Sequence, residues 1–427
     1  MRRAVAIVDG EHYPPVVRQA LEALRDDVVA AVLVGGTEKL REDEGYGVPL
    51  EPSVEAALRE HRPDVVVDLS DEPVLSPPDR LALASRVLAL GVPYEGPDFR
   101  FEPPPAEPVD LPTLAVIGTG KRVGKTAVTG HVARHLGRTR RVTVVAMGRG
   151  GPPEPETVLV RPTVESLLDL SRSGRHAASD HLETALATGV PTVGCRRCGG
   201  GLAGAVAISN VLEGVALAAE TSPELLVLDG SGAALPPVDA GRRVLVASAA
   251  QPVDVAAGYL NVFRALIADL VVVTMAEPDA PHVELAAALR TRSRQGTPVI
   301  RAVLRPRPLE EIAGERVAFF CTAPVSAHGH LAGHLEDRHG ARVTAVSGAL
   351  ADRARLRGEL RDIRADVFVV ELKAAAVDVV VEEARRRGSR VVIAADDVEP
   401  LDGEPELDAE LERLASEAVA QAPESVR

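Results

Sequence analysis

The sequence predicts an α/β protein made of three consecutive α/β units with mostly parallel sheets. Three observations predict it. Short runs of Val, Ile, Leu and Ala alternate with helix-period segments along the whole chain, the pattern of βαβ units whose strands are covered on both faces. Two Pro-rich stretches interrupt the alternation. The length, 427 residues, suits two or three domains of about 150 residues each.

The first unit, residues 1–104, carries strand runs at 5–8, 28–34 and 65–69. The first two run into Asp9-Gly10-Glu11-His12-Tyr13-Pro14 and Gly35-Gly36, which can line the mouth of a sheet. The start, Met1-Arg2-Arg3-Ala4-Val5, leads into an apolar run too short for a secretion signal, so the expected location is cytoplasmic. Residues 99–108, Pro-rich and acidic, read as a linker. The second unit, 105–306, carries runs at 114–117, 142–146, 225–228, 244–247 and 270–274. Leu304-Arg305-Pro306-Arg307-Pro308 reads as the next boundary. The third unit, 307–427, carries runs at 317–320, 367–370 and 391–394, then an acidic helix and a frayed tail. Arg385-Arg386-Arg387 after Glu382-Glu383 reads as a solvated, self-paired helix face.

Composition excludes several functions. With 48 Lys+Arg against 62 Asp+Glu, the net charge of −14 argues against nucleic-acid binding, which needs a basic field. An anionic substrate can then be held only by a local cation cluster. Aromatics are 2% with no Trp, which argues against base-stacking platforms. Three cysteines cannot build a disulfide framework and suit a reducing compartment. No apolar run is long enough to span a membrane.

The sharpest signal is Leu114-Ala115-Val116-Ile117 followed by Gly118-Thr119-Gly120-Lys121-Arg122-Val123-Gly124-Lys125-Thr126. An apolar strand runs into a Gly-rich turn and then a helix, the context a phosphate-binding loop requires. The central unit is therefore expected to have the P-loop NTPase fold. Backbone N–H groups of the turn and of the helix N-terminus converge on phosphate oxygens. Lys125 adds charge at the β- and γ-phosphates, and Thr126 offers its hydroxyl to Mg²⁺. Five residues separate Gly118 from Gly124, one more than in the common form. Downstream, Leu225-Leu226-Val227-Leu228-Asp229-Gly230-Ser231-Gly232 puts Asp229 at a strand end, either as a Mg²⁺ ligand opposite Thr126 or as a helix cap. The Asn-Lys-x-Asp box of guanine readers is absent, so ATP is the expected nucleotide. Thr274-Met275-Ala276-Glu277-Pro278 is a candidate base-reading segment.

Cationic residues follow other strands. Arg149 comes just past a strand end, where open α/β sheets bind ligands. Cys195-Arg196-Arg197-Cys198, leading into Gly199-Gly200-Gly201, reads as paired arginines in a flexible loop that clamp a phosphate or carboxylate. Zinc or redox chemistry at the two cysteines is the alternative, but zinc would want further ligands. Lys373, after Glu371-Leu372, is a further anion candidate. His328, His330, His334 and His339 form a loose cluster without a metalloprotease pattern.

The wide loop and the acidic-Gly-small-Gly strand end resemble the dethiobiotin synthetase branch of P-loop ligases. Over nearly the whole chain, the sequence resembles the cyclic 2,3-diphosphoglycerate synthetase family. The carriers are residues 6–14, 118–126, 145–152, 195–204, 229–232 and 371–373. The resemblance implies ATP, Mg²⁺ and intramolecular closure of 2,3-diphosphoglycerate, with release of ADP and phosphate. A substrate with two phosphates and a carboxylate would call on Arg149, Arg196, Arg197, Lys121 and Arg122 near the P-loop, with Lys373 a separate catalytic candidate. A homodimer is the assembly considered. Two alternatives stay open: another P-loop ligase, either a dethiobiotin-synthetase-like ring closer or an amide ligase using Cys321, and a nucleotide-hydrolysing switch or metallochaperone.

Overall fold

The computed structural model describes residues 1–36, 38–39, 45–373 and 376–422. All eleven apolar runs are strands, and the sheets they build are mostly parallel. A six-stranded sheet forms the N-terminal unit, in the order Leu50–Glu51, Asp27–Leu33, Arg3–Val8, Val65–Asp68, Tyr94–Glu95, Arg100–Phe101. Only its last strand is antiparallel. Residues 99–108 are thus no free linker: Arg100–Phe101 pairs back on Tyr94–Glu95, and Glu107 bridges to Val238.

The remaining strands form one thirteen-stranded sheet. At its centre lie Val142–Gly148, Leu225–Asp229, Thr113–Gly118, Arg242–Ser248 and Leu270–Thr274, all parallel. Thr113–Gly118 and Leu225–Asp229 are buried at every residue, because side chains of alternate parity feed two separate cores. Ala115, Ile117, Leu226 and Leu228 face one core, and Leu114, Val116, Leu225 and Val227 face the other. The second core is closed by two helices, Lys125–Leu136 and the terminal helix Leu407–Gln421. The terminal helix buries Leu407, Leu411, Leu414, Ala415 and Ala418, an apolar stripe at helical spacing. It therefore packs on the central unit although the chain reaches it through the C-terminal one. His131 Nε2 on Asp408 (2.7 Å) and Arg242 Nε on Glu417 (2.7 Å) tie it there.

The boundary expected at 304–308 lies inside the ten-residue strand Val299–Pro308. Its first residues pair in parallel with Leu270–Thr274, and residues 302–308 pair antiparallel with Arg390–Pro400. From Ala302 on only one edge is paired, so Pro306 and Pro308 are tolerated where a central strand would reject them. Through this strand the sheet continues without a break into Arg390–Pro400, Val367–Glu371, Arg316–Phe320 and Arg342–Ser347. The Glu382–Arg387 helix pairs internally at Glu383 with Arg386 and Arg387, while Arg385 reaches Glu165 instead.

The N-terminal unit docks through one helix pair. Leu83, Ala84, Val87 and Leu88 of Pro77–Ala89 share a core with Leu260 and Phe263 of the central unit and with Ala203. No described helix is long and apolar enough to cross a membrane.

Candidate active site

The Gly-rich loop joins Thr113–Gly118 to the helix Lys125–Leu136 as the sequence requires. Gly124 caps that helix at φ +79°, and a Cβ there would come 2.8 Å from Leu304 Cδ1. Three neighbours pin the loop. Thr119 Oγ1 donates to Gln251 Oε1 (2.6 Å), Asn261 Nδ2 donates to the Thr119 carbonyl (3.1 Å), and Thr274 Oγ1 donates to the Val123 carbonyl (2.7 Å). Thr274 is therefore a brace for the loop, and Glu277, from the segment read as base-recognising, is taken by Arg305. Lys121 and Arg122 stand exposed at the apex, without a side-chain partner among the described residues.

Behind the loop, Asp229 ends its strand completely buried. Its Oδ1 accepts from Thr129 Oγ1 (2.8 Å) and is ion-paired with Lys125 Nζ. Burial raises the Asp229 pKa above the ordinary carboxylate range, with Lys125 working against it and Asp180 adding to it. Its other oxygen, Oδ2, is buried with no hydrogen-bond partner, a lone pair set for a cation. The Thr126 hydroxyl makes no hydrogen bond within the described residues. A hard cation takes oxygen ligands of this kind, so the residues present fit Mg²⁺. Thr129 and Asp180 were not foreseen from the sequence. Thr129 sits one helical turn after Lys125, a spacing that could have shown it.

On the other side of Gly232 lies a second cluster. Gly232 is at φ +61°; an added Cβ would come 2.8 Å from Arg149 Nη2 and 3.7 Å from Arg197 Nη2, while its own carbonyl is packed against Gly118 of the loop. The two guanidiniums thus converge one residue away from the phosphate loop. They line a cleft of about 490 Å³ with Cys198–Gly201, Ala233 and Ala234. Arg197 donates to the carbonyls of Ser231 (2.7 Å) and Gly199 (2.9 Å), and Arg149 has no hydrogen-bond partner among the described residues. Neither has an ion-paired carboxylate among the described residues. Burial, then the charge of Arg149, lowers the Arg197 pKa.

The flexible double-arginine clamp is corrected here. Arg196 and Arg197 are on the strand Thr192–Cys198, and successive strand residues project to opposite faces. Arg197 joins Arg149; Arg196 is exposed and stands apart from that pair. The same alternation separates Cys195, buried with its thiol pushed up to about 12, from the exposed Cys198. No group of three or more metal-ligating side chains occurs among the described residues. Cys321 is buried too, and burial followed by the charge of Glu371 pushes its thiol far up, leaving no reactive thiolate for an amide ligase.

Lys373 is likewise not at the arginine cleft. It is ion-paired with Glu183 of the helix Asp180–Thr188, beside Glu371 and Asp396. Burial alone would lower its pKa, but the charges of Glu183 and Glu371 outweigh that and hold it above the ordinary lysine value. Glu183 and Asp396 also line a small cavity with Thr126, so this cluster borders the phosphate loop from the C-terminal unit. Burial raises Glu183 to about 7, and Glu371 and Asp396 are raised as well. A folded state whose acids hold protons that the unfolded chain has lost grows less stable as pH rises between the two values. Glu183 therefore contributes stability that is lost between about pH 4.5 and about pH 7, and Glu183→Gln should make the melting temperature fall less, or rise more, than wild type across that window in calorimetric scans. An unchanged slope would remove Glu183 as the source of that loss.

Three family models cover the chain. Residues 3–102, 113–293 and 308–397 match the N-terminal, P-loop and C-terminal domains of cyclic 2,3-diphosphoglycerate synthetase. The chain belongs to that family. The synthetase of Rubrobacter xylanophilus is 49% identical over 422 residues, covering 94% of this chain and 96% of the relative. That of Thermococcus kodakarensis is 43% identical over 416 residues, covering 93% and 95%. Among solved structures, LpxK from Aquifex aeolicus in complex with ATP matches at TM-score 0.44 and 15% identity, over 74% of this chain and 91% of that one. As a member of the synthetase family the chain is a ligase-type enzyme with an ATP-binding P-loop domain. That reading prevails over the amide ligase and the nucleotide switch.

Proposed function

We propose that the chain closes 2,3-diphosphoglycerate into its cyclic anhydride with ATP held on residues 118–126 and the substrate held by Arg149 and Arg197. The observation that carries this is the pair of guanidiniums converging beside Gly232 with no ion-paired carboxylate among the described residues, in a chain of net charge −14. Two like charges brought together at a cleft repel each other, and an anion between them relieves that repulsion. A bisphosphate supplies one phosphate per arginine. Lys121 and Arg122 are free to meet phosphate from the loop apex. Arg196 is proposed as an outer contact next to Arg197 in the chain, and Lys373 as a cation behind the transferred phosphate, from the cavity that its partner Glu183 lines with Thr126.

The chain supplies no side-chain nucleophile, because the reacting groups are in the substrates. One substrate phosphate oxygen attacks the γ-phosphorus of ATP, the bond to ADP breaks, and a phosphoanhydride forms. The neighbouring substrate phosphate then attacks the substrate phosphorus of that anhydride and expels inorganic phosphate. Both steps need alignment and charge neutralisation, which Lys125, Arg149 and Arg197 provide. Asp229 and Thr126 would hold Mg²⁺, which neutralises charge on the nucleotide phosphates. The free cysteines support a cytoplasmic setting, and the acidic chain supports a small anion rather than nucleic acid as partner.

Phosphorus NMR with ATP, Mg²⁺ and 2,3-diphosphoglycerate should show new anhydride signals with equimolar ADP and phosphate. With ¹⁸O in the non-bridging substrate oxygens, each released phosphate should carry one label. Unlabelled phosphate would overturn the two-step route, and ATP consumption indifferent to diphosphoglycerate would overturn the substrate.

A further inference from the structure

Arg264 lies in the helix Asn261–Ile267 and is only 2% exposed, yet it pairs with no carboxylate among the described residues. All its bonds go to neutral oxygens. Nε (2.9 Å) and Nη2 (2.5 Å) donate to the Ala233 carbonyl, and Nη2 also reaches the Leu202 carbonyl (3.2 Å). Nη1 donates to the Leu260 carbonyl (3.0 Å) and to Asn261 Oδ1 (3.2 Å). Asn261 in turn holds the Thr119 carbonyl of the phosphate loop (3.1 Å) and the Val255 carbonyl (2.8 Å). One guanidinium therefore joins three segments: residues 199–204, residues 231–235, and, through Asn261, the Gly-rich loop.

Those segments are the walls of the arginine cleft. Arg197 to Gly201 and Ala233-Ala234 line it. The two walls are also laced by the Leu235 N–H, which donates to the Gly204 carbonyl at 2.9 Å. Gly204 itself is packed on the guanidinium: a Cβ there would come 3.1 Å from Arg264 Nη2 and 2.8 Å from Leu235 Cγ. Burying an unpaired cation is costly. Burial lowers the Arg264 pKa to about 10, which leaves it charged at neutral pH. An apolar residue would fill the same space without that cost, so packing alone does not account for an arginine here.

We infer that Arg264 is a positioning residue for the anionic substrate: from behind the cleft it fixes both walls, and with them Arg197, against the phosphate loop. It draws the carbonyls of Leu202 and Ala233 inward, so their negative ends are turned to a buried cation and not to an incoming phosphate. The inference rests on the reading of Arg149 and Arg197 as the substrate site.

The test compares Arg264→Lys, Arg264→Met and Arg149→Ala in steady-state kinetics, with thermal melting of each. Arg264→Met should raise KM for 2,3-diphosphoglycerate at least tenfold and KM for ATP less than threefold. Arg264→Lys keeps the charge but lacks the planar fork, so its KM for diphosphoglycerate should fall between wild type and Met. If Met does not fold, the lysine variant must still show at least a threefold rise confined to diphosphoglycerate. Equal rises in both KM values, or no rise in a folded variant, would overturn the inference. If Arg149→Ala leaves KM for diphosphoglycerate unchanged, the substrate site itself is misplaced. A rise in Arg149→Ala without one at Arg264 removes only the positioning role.

Discussion

Lys125→Ala should lose roughly 100- to 1,000-fold in turnover, because it removes the ammonium proposed to meet the transferred phosphate. Losing a single charge-stabilising donor in a comparable position costs about 3–4 kcal/mol in the transition state. The fold should survive, since the helix is held by Ala127, Val128, Val132, Ala133 and Leu136 in the core. The substitution leaves Asp229 buried opposite nothing but Thr129. With burial already raising its pKa, loss of the lysine raises it further, and the carboxyl binds a proton that the unfolded chain lacks. The variant should thus melt below wild type, by more at pH 8 than at pH 6. Phosphorus NMR of product formation and melting at the two pH values read both effects. Full turnover in the variant would end the phosphate-loop assignment.

Arg149→Ala should lower kcat/KM for 2,3-diphosphoglycerate by roughly 30- to 1,000-fold, the equivalent of about 2–4 kcal/mol for a desolvated charge-assisted contact. KM for ATP should move little, since Gly232 separates Arg149 from the phosphate loop. Arg196→Ala is the contrast, exposed and apart from the cleft, and should cost far less. Equal losses in the two variants would restore the double-arginine clamp.

The eleven apolar runs were legible because parallel strands covered on both faces are apolar at every position. The phosphate loop was legible because its chemistry is local: nine consecutive residues supply the turn, the helix start, the lysine and the hydroxyl. Thr192–Cys198 was not, because its buried half is followed by Arg196 and Arg197, which look like a loop until the pairing with Val142–Gly148 is seen. Val299–Pro308 was hidden by prolines that only a one-sided edge permits. The partners of Lys373 and Arg264 had no sequence signal. Glu183 lies 190 residues from Lys373, and Arg264 answers to carbonyls, which every residue carries. Long-range ion pairs and backbone acceptors leave no periodicity to read.

The unbroken sheet has a consequence for how the molecule can move. Seven consecutive register pairs, from Ala302↔Pro400 to Pro308↔Ala394, join the P-loop unit to the C-terminal unit. Inter-strand hydrogen bonds do not stretch, so these two units form a single stiff plank and cannot open and shut on each other as jaws. The N-terminal unit is attached differently, by an extended connection and by one helix lying on another. It can swing without tearing a sheet, and it rests on the helix that carries Arg264 and Asn261. A rocking N-terminal unit would therefore tug at both walls of the arginine cleft and at the phosphate loop in one stroke.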